Sequence, residues 1–275
     1  MTAVGTKDKS VGWFQPELED VNPQARSVLE TYCNIPSAEV VPHVLRIRDK
    51  AWEVFPYPCI GQFRFLDMPL GGFDEYPEIV QRLKSGNDKY LDLGCCFGQD
   101  IRRLVADGVP SEALIGSDLQ QGFLDLGFDL FKDKERLHSK FIAADVFESQ
   151  SKLTPLEGNI DVIHASSFFH LFGYEGQKKI ARRVIQLLRP KKDSLLVGRQ
   201  VGNVKAHGEE SSASGSGNMF LQNVESWQQM WKEIGEETGT EWEVKARLED
   251  WPLVGNKVSW HTEGTKRIFF SVRRL

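Results

Sequence analysis

Residues 90–100, Tyr-Leu-Asp-Leu-Gly-Cys-Cys-Phe-Gly-Gln-Asp, constrain this chain more than any other stretch. An apolar strand ends in Asp92, a turn carries Gly94 and Gly98, and a helix follows with Asp100-Ile-Arg-Arg-Leu-Val. Strand, glycine turn and helix in that order begin an α/β unit. Glycines at such a turn let a nucleoside-containing ligand lie against backbone at a helix N-terminus, with no side chain in the way. The spacing here is acidic-x-Gly-x-x-x-Gly. It differs from the Gly-x-Gly-x-x-Gly of dinucleotide sites and lacks the closing Gly-Lys-Ser/Thr of a phosphate-binding P-loop. Alone, it also fits an ordinary strand-turn-helix junction.

The next strands narrow the reading. Ala113-Leu-Ile-Gly-Ser-Asp118 ends in an acid placed where a ribose-binding carboxylate falls, and a carboxylate can accept hydrogen bonds from both ribose hydroxyls. Lys140-Phe-Ile-Ala-Ala-Asp145 is a third strand closing in an acid, and Ile160-Asp-Val-Ile-His-Ala165 a fourth, followed by Ser166-Ser-Phe-Phe-His170. Any one acid is more often a surface carboxylate or a helix cap; three in order, each closing an apolar strand, form a pattern. The series resembles the class I methyltransferases that use S-adenosylmethionine, with Cys96 standing where that superfamily has a middle glycine. The resemblance implies a Rossmann-like, seven-stranded, mostly parallel α/β sheet with an antiparallel terminal strand. It also implies that Asp92, Gly94, Gly98, Gln99, Asp118, Leu119, Asp145, Val146 and His164 surround the cofactor. Asp145 would then lie near the adenine amine and Gln99 near the amino-acid part.

The remaining pattern agrees with such a sheet. Helices read at about 99–107, 121–131, 176–188 and 224–238, between strands near 89–93, 113–118, 140–144, 160–165 and 194–199, an alternation that argues for helices on both faces. Two strands close the chain with no helix between them, Trp242-Glu-Val-Lys-Ala-Arg-Leu and Lys266-Arg-Ile-Phe-Phe-Ser-Val-Arg. Upstream, Asn22-Pro23 reads as a helix start, and a stronger helix spans about Ser37 to Phe55 with Val41, Val44, Leu45, Trp52 and Phe55 on one stripe and Pro42 in its first turn. A short helix over Tyr76 to Lys84 closes at Gly86. The expected division is residues 1–85 as an arm and helical cap and residues 86–275 as the cofactor domain. Trp13 and Phe14 in the polar arm are costly to leave exposed, so they should pack on a neighbouring surface or a second subunit. The Ser/Gly-rich stretch 206–218 reads as mobile, either a substrate gate or a solvated insertion.

Composition excludes several classes. The net charge of −5 argues against nucleic acid, whose phosphates call for a basic face. No segment approaches the ~20 apolar residues that span a bilayer, and the first ten residues lack a signal-peptide core. Four cysteines at 33, 59, 95 and 96, none in a Cys-x-x-Cys pair, fit a reduced cytoplasmic compartment. No His/Cys/Asp/Glu group has metal-ligand spacing, so no metal is expected.

Lys50-Ala-Trp-Glu-Val-Phe-Pro-Tyr-Pro-Cys-Ile-Gly61, the paired cysteines of the glycine turn, and Gly127-Phe-Asp-Leu-Phe131 are similar to a group of fungal methyltransferases of meroterpenoid pathways, including austinol-type ones. That resemblance implies methyl-esterification of a carboxylic acid on a prenylated polyketide by a homodimer. A carboxylic acid is already ionised at neutral pH and needs no base, whereas a phenol near pKa 10 or an amine benefits from one. His170 and Ser166 are the catalytic candidates, with His170 also a substrate contact. For His164, on an apolar strand, a place in the core or pocket wall is favoured over catalysis. Trp52, Tyr57, Phe63 and Phe65 either pack the cap or wall a hydrophobic substrate, with Trp52 and Tyr57 the candidate contacts. Arg46, Arg48, Lys50 and Arg64 either include a carboxylate clamp or form a solvated face. Three other readings stay open: base-assisted methylation of a phenol or amine, a catalytically silent cofactor-binding subunit, and, disfavoured by the glycine spacing, a nicotinamide oxidoreductase.

Overall fold

The computed structural model describes residues 5–148, 150–210, 218–251 and 263–275. Its core is a seven-stranded sheet built from β1 (Tyr90–Leu93), β2 (Leu114–Asp118), β3 (Lys140–Ala143), β4 (Val162–His164), β5 (Leu195–Asn203), β8 (Trp242–Glu249) and β9 (Thr265–Arg274). The strand order is β3-β2-β1-β4-β5-β9-β8. The first five are mutually parallel, and β9 inserts antiparallel between β5 and β8. This is the expected class I methyltransferase sheet, with its antiparallel terminal strand beside the fifth.

Burial explains the strand patterns. Every residue of β1 and β5 is buried, as expected of strands covered on both faces, and the polar residues among them are Asp92, Arg199, Gln200 and Asn203. The edge strand β8 instead alternates half-buried and exposed residues along its length. Around the sheet lie α4 (Tyr76–Lys84), α5 (Gln99–Ala106), α6 (Gln121–Phe131), α7 (Tyr174–Leu187) and α8 (Val224–Thr238). Helix α8 opens with a reciprocal cap, in which Asn223 accepts from the Ser226 backbone N–H and Ser226 accepts from that of Asn223.

The described residues before α4 include α1 (Pro23–Ser27), a π-helical turn (Val28–Tyr32), α2 (Ser37–Val54) and the short α3 (Pro58–Gly61). Asn22 caps α1 as expected, accepting from the Ala25 N–H at 2.9 Å. Pro42 lies in the second turn of α2 rather than its first, so the Ala38 carbonyl lacks an intrahelical donor. The arm packs on its own cap. Trp13 is buried among the cap residues, and Phe14 meets Trp52 edge-on at 4.9 Å. Arg48, one of the candidate clamp residues, does structural work. Its guanidinium lies 4.3 Å from Phe14 and 4.5 Å from Phe63 and donates to the Gln15 and Pro16 carbonyls. Lys50 is exposed and pairs with Asp129, while Arg46 is exposed.

The cap core continues into the cofactor half through Phe97, Phe123, Leu126, Leu130 and Phe131. Gly127 permits this closeness, since a Cβ there would sit 2.4 Å from the Phe97 carbonyl oxygen. A buried ion pair pins the same junction. Arg102 of α5 donates to both carboxylate oxygens of Asp133, at 2.9 and 3.1 Å, and Tyr32 of the cap donates to Asp133 at 3.0 Å. Strands β6 (His207–Glu210) and β7 (Asn218–Leu221) form a separate antiparallel hairpin. Most of the Ser/Gly-rich stretch, residues 211–217, lies outside the described residues.

Removing one partner of a buried pair leaves the other charge uncompensated. Arg102→Met should therefore lower the unfolding free energy by about 3–5 kcal/mol in urea titrations. A loss below about 1 kcal/mol would show that Asp133 finds solvent or another donor.

Candidate functional site

A cavity of about 850 Å³ opens at the C-terminal ends of β1, β2 and β4, between the sheet, the cap segment after α2, and β7. That volume is near the upper end of the ~300–1,000 Å³ usual for small-molecule sites, and lies where ligands of parallel α/β sheets bind.

The turn after β1 forms its floor. The Gly94 and Cys95 N–H groups donate to the Ser117 carbonyl at 2.8 and 2.9 Å, tying the turn to β2. Gly94 and Gly98 both have left-handed φ, at +78° and +65°, and a Cβ on Gly94 would meet the Phe168 ring at 2.7 Å. Cys96 also has positive φ, 53°, so the residue replacing the superfamily's middle glycine occupies a glycine conformation. Its N–H donates to Asp118 Oδ2 at 2.9 Å, and Gln120 N–H donates to Asp118 Oδ1 at 3.0 Å. Asp118 thus stands fixed at the cavity wall, its carboxyl pushed above the usual range by burial. Asp145 stands beyond it on the same wall, its Oδ1 accepting from Phe147 N–H at 2.9 Å.

Gly94, Gln99, Asp118, Leu119, Asp145, Val146, Tyr57, Ser166 and His170 all line the cavity, so most of the sequence-derived candidates converge. Leu119 is exposed there, and the Gln99 side-chain oxygen is buried without a partner. Gly98 shapes the turn from behind. Asp92 and His164 are buried beneath the cavity rather than on its wall, with His164 Nδ1 3.1 Å from Asp92 Oδ1. Burial opposes His164's protonation, but the Asp92 and Asp100 charges more than offset it and its pKa rises. Asp92 Oδ2 remains buried with no partner.

Trp52 is a correction. It does not line the cavity but is fully buried in the cap, its indole N–H donating to the Lys7 carbonyl at 3.0 Å. The helical stripe that suggested it is a packing stripe. Tyr57 does reach the cavity because the chain leaves α2 at Phe55 and turns inward. Phe65 lines it too, whereas Phe63 sits under Arg48. Asp92, Asp100 and His164 also form a group whose ligating atoms lie within 4.8 Å of one another. Spacing along the chain could not reveal it, since the three come from β1, α5 and β4. The His164–Asp92 contact accounts for two of its members.

Several cavity residues went unrecognised in the sequence: Asp67, Phe147, Phe168, Phe172, Lys179, Arg199, Met219 and Trp251. Arg199 alone had a readable signal, as a charge inside the otherwise apolar run Leu195-Leu-Val-Gly-Arg-Gln-Val. Its guanidinium donates to Asp67 Oδ2 at 2.6 Å. Arg64 also lines the cavity, making it the one of the four weighed basic residues that does so.

Comparison with known proteins agrees with this geometry. Residues 13–66 match a family model described as a meroterpenoid methyltransferase N-terminal domain, and residues 91–191 match a methyltransferase domain. The chain is 45% identical to the O-methyltransferase phiE of a fungal species (strain ATCC 74256), over 99% of this chain and 98% of that one. It is 43% identical to the O-methyltransferase atr3 of Stereocaulon alpinum, over 98% and 77% of the two chains. It is 41% identical to the asnovolin E/chermesin D methyltransferase nvfJ of Aspergillus novofumigatus, over 94% and 91%. The chain belongs to this family of fungal methyltransferases. Its cofactor is S-adenosylmethionine, and the bare backbone at Gly94, the fixed Asp118 and the Gln99 side-chain oxygen, which has no partner among the described residues, fit that group.

If Asp118 holds the ribose, Asp118→Ala should weaken S-adenosylmethionine binding by about 1.5–3 kcal/mol, roughly tenfold to a hundredfold. Calorimetry finding an unchanged affinity in a folded variant would remove Asp118 from the site.

Proposed function

We propose that the protein methyl-esterifies the carboxylate of a hydrophobic meroterpenoid or polyketide intermediate in fungal secondary metabolism. The observation that carries this reading is the setting of His170, whose Nδ1 is buried and without a hydrogen-bond partner among the described residues, so that no carboxylate supports a protonated ring. Among the described residues lining the cavity it is the sole imidazole, and burial, then the nearby Arg64 charge, lowers its pKa to about 3. A base that weak accepts a proton from a phenol near pKa 10 only at a cost of roughly 10 kcal/mol. A nucleophile that arrives already ionised suits this cavity, and a carboxylate is one.

S-adenosylmethionine, when bound, supplies an electrophilic methyl on its sulfonium. The chain's part is alignment and exclusion of water, which can be worth effective molarities of about 10⁵–10⁸ M. Asp118 and Asp145 are assigned to the nucleoside and Gly94 and Gln99 to the amino-acid part, with Asp92 buried beneath them. Ser166 and His170, beyond β4, are assigned to the reacting end, with His170 positioning the substrate rather than moving a proton. Phe65, Phe168 and Phe172 provide apolar wall for a terpenoid or polyketide body. Residues 1–85 serve in this reading as the cap over the substrate. Its relative nvfJ is named an asnovolin E/chermesin D methyltransferase, and the match of residues 13–66 to a meroterpenoid methyltransferase N-terminal domain supports the substrate class. No described helix is long and apolar enough to cross a membrane, and a cytoplasmic place is proposed with that.

His170 stays neutral from about pH 6 to 9 because its folded pKa lies far below that window. Single-turnover rates should be nearly flat across it, and His170→Gln should reduce them without changing the slope. Incubating the enzyme with methyl-labelled cofactor and a fungal acid extract should give a labelled product that mild alkali hydrolyses. A rate rising steeply near pH 6.5 and lost in His170→Gln, or an alkali-stable product, would favour a phenol or amine instead.

A homodimer is also proposed, on the family resemblance alone, since Trp13 and Phe14 are satisfied within one chain. Light scattering at micromolar concentration should give about twice the 31.2 kDa chain mass. A monomer would rule the dimer out.

A further inference from the structure

At the junction of cap and sheet the cavity wall gathers more positive charge than negative, although Asp118 and Asp145 line it elsewhere. Arg64 of the cap and Arg199 of β5 both line it, and Arg267 of β9 stands behind them. Asp67 lies 2.6 Å from Arg199 and 3.6 Å from Arg267, and Glu249 is the other carboxylate whose charge acts on Arg267. Arg64 has no carboxylate within ion-pairing distance among the described residues; it stacks on Trp251, 4.4 Å from the ring centre, with Arg267 5.0 Å from the same ring. Among the described residues, the Nε of each arginine is buried without a hydrogen-bond partner. Burial and the charges of Arg199 and Arg64 lower the pKa of Arg267 to about 10.

Unneutralised guanidinium groups beside an apolar cavity are costly unless a ligand completes them. A planar fork with free donors matches a carboxylate. We propose that Arg64 and Arg199, the latter steered by Asp67, form a carboxylate-binding subsite at the junction of cap and sheet. Arg64 is its main donor. Assigning the substrate's carboxylate to it rests on the methyl-ester reading above. The cofactor's own amino-acid carboxylate has the same chemistry. The substrate is favoured because Arg64 stacks on Trp251, away from Asp118 and the glycine turn, and its charge acts on His170 at the end assigned to the reaction.

The test uses the full chain saturated with S-adenosylhomocysteine, with benzoate as the carboxylate probe and benzyl alcohol as its uncharged match. Titration calorimetry should find benzoate at least about tenfold tighter than benzyl alcohol, and Arg64→Gln should erase that preference while leaving S-adenosylhomocysteine affinity within about twofold. Asp67→Asn removes the internal competitor and should tighten benzoate binding about threefold or more. The subsite is overturned if wild-type protein shows no preference for benzoate. It is equally overturned if Arg64→Gln, with an unchanged melting temperature, keeps that preference. Should Arg64→Gln fail to fold, an Asp67→Asn protein with unaltered benzoate affinity overturns it. A tenfold loss of S-adenosylhomocysteine affinity with benzoate unaffected would assign Arg64 to the cofactor and overturn the substrate assignment. A labelled product that proves to be an ether, with the benzoate preference intact, would refute the ester reading and leave the subsite standing.

Discussion

The site depends on the hydrogen bonds that fasten the turn after β1 to the end of β2. Two consecutive N–H groups, of Gly94 and Cys95, converge on the Ser117 carbonyl, and the third, of Cys96, reaches the Asp118 carboxylate. Three successive donors facing one neighbour require the chain to curl sharply, and the left-handed φ of Gly94, Cys96 and Gly98 is how it does so. The same carboxylate that is assigned to the ribose is thus a structural acceptor. Its position follows from the turn, and the turn's from it. A cysteine at the middle position accepts a left-handed conformation costing an L-residue roughly 1–2 kcal/mol, which the bond to Asp118 helps to offset.

From that turn the constraint passes to the cap. Phe97, the residue after Cys96, inserts edge-on between Phe65 at 4.8 Å and Phe123 at 5.7 Å. Phe65 belongs to the cap and lines the cavity, and Phe123 belongs to α6 and lines it as well. One buried ring therefore couples cofactor turn, cap and helix, and interiors packed at such density transmit displacement rather than absorb it. The Arg102–Asp133–Tyr32 cluster fixes the same junction, with Arg102 also donating to the Phe97 carbonyl at 2.8 Å.

What the sequence revealed was local in kind. Strands closing in Asp92, Asp118 and Asp145, the alternation with helices, and the two-strand tail were all legible, because period and termination are properties of contiguous residues. Tyr57 and Trp52 looked alike on that basis, yet one lines the cavity and the other is buried behind it. The difference lies in where α2 ends, and boundaries are poorly encoded locally. The Asp92–His164–Asp100 group was hidden because it is assembled from three elements. Arg64 resembled a solvated cation until the fold placed it beside β5. Arg199 carried its signal openly, for a charge in a fully buried parallel strand needs a reason.

The electrostatics of the cavity then tie its two unexplained features together. A cation close to an imidazole in a buried site disfavours the protonated ring, so Arg64 and His170 cannot both serve a reaction that needs a strong base. The same field favours an anion at that place. Burial contributes most to the weak basicity of His170, and the charge on Arg64 adds to it. A neutral hydroxyl would meet a site that neither deprotonates it nor is completed by it. An incoming carboxylate would neutralise Arg64 and need no proton removed. Its approach would also relieve the pressure on His170, allowing that ring to hydrogen-bond through the Nδ1 that now has no partner. In the proposed reaction the ligand is thus an electrostatic part of the folded site, and the order of events follows. The acid binds ionised, the cap region around Arg64 gains its missing counter-charge, and the nucleophile is held where transfer needs alignment alone.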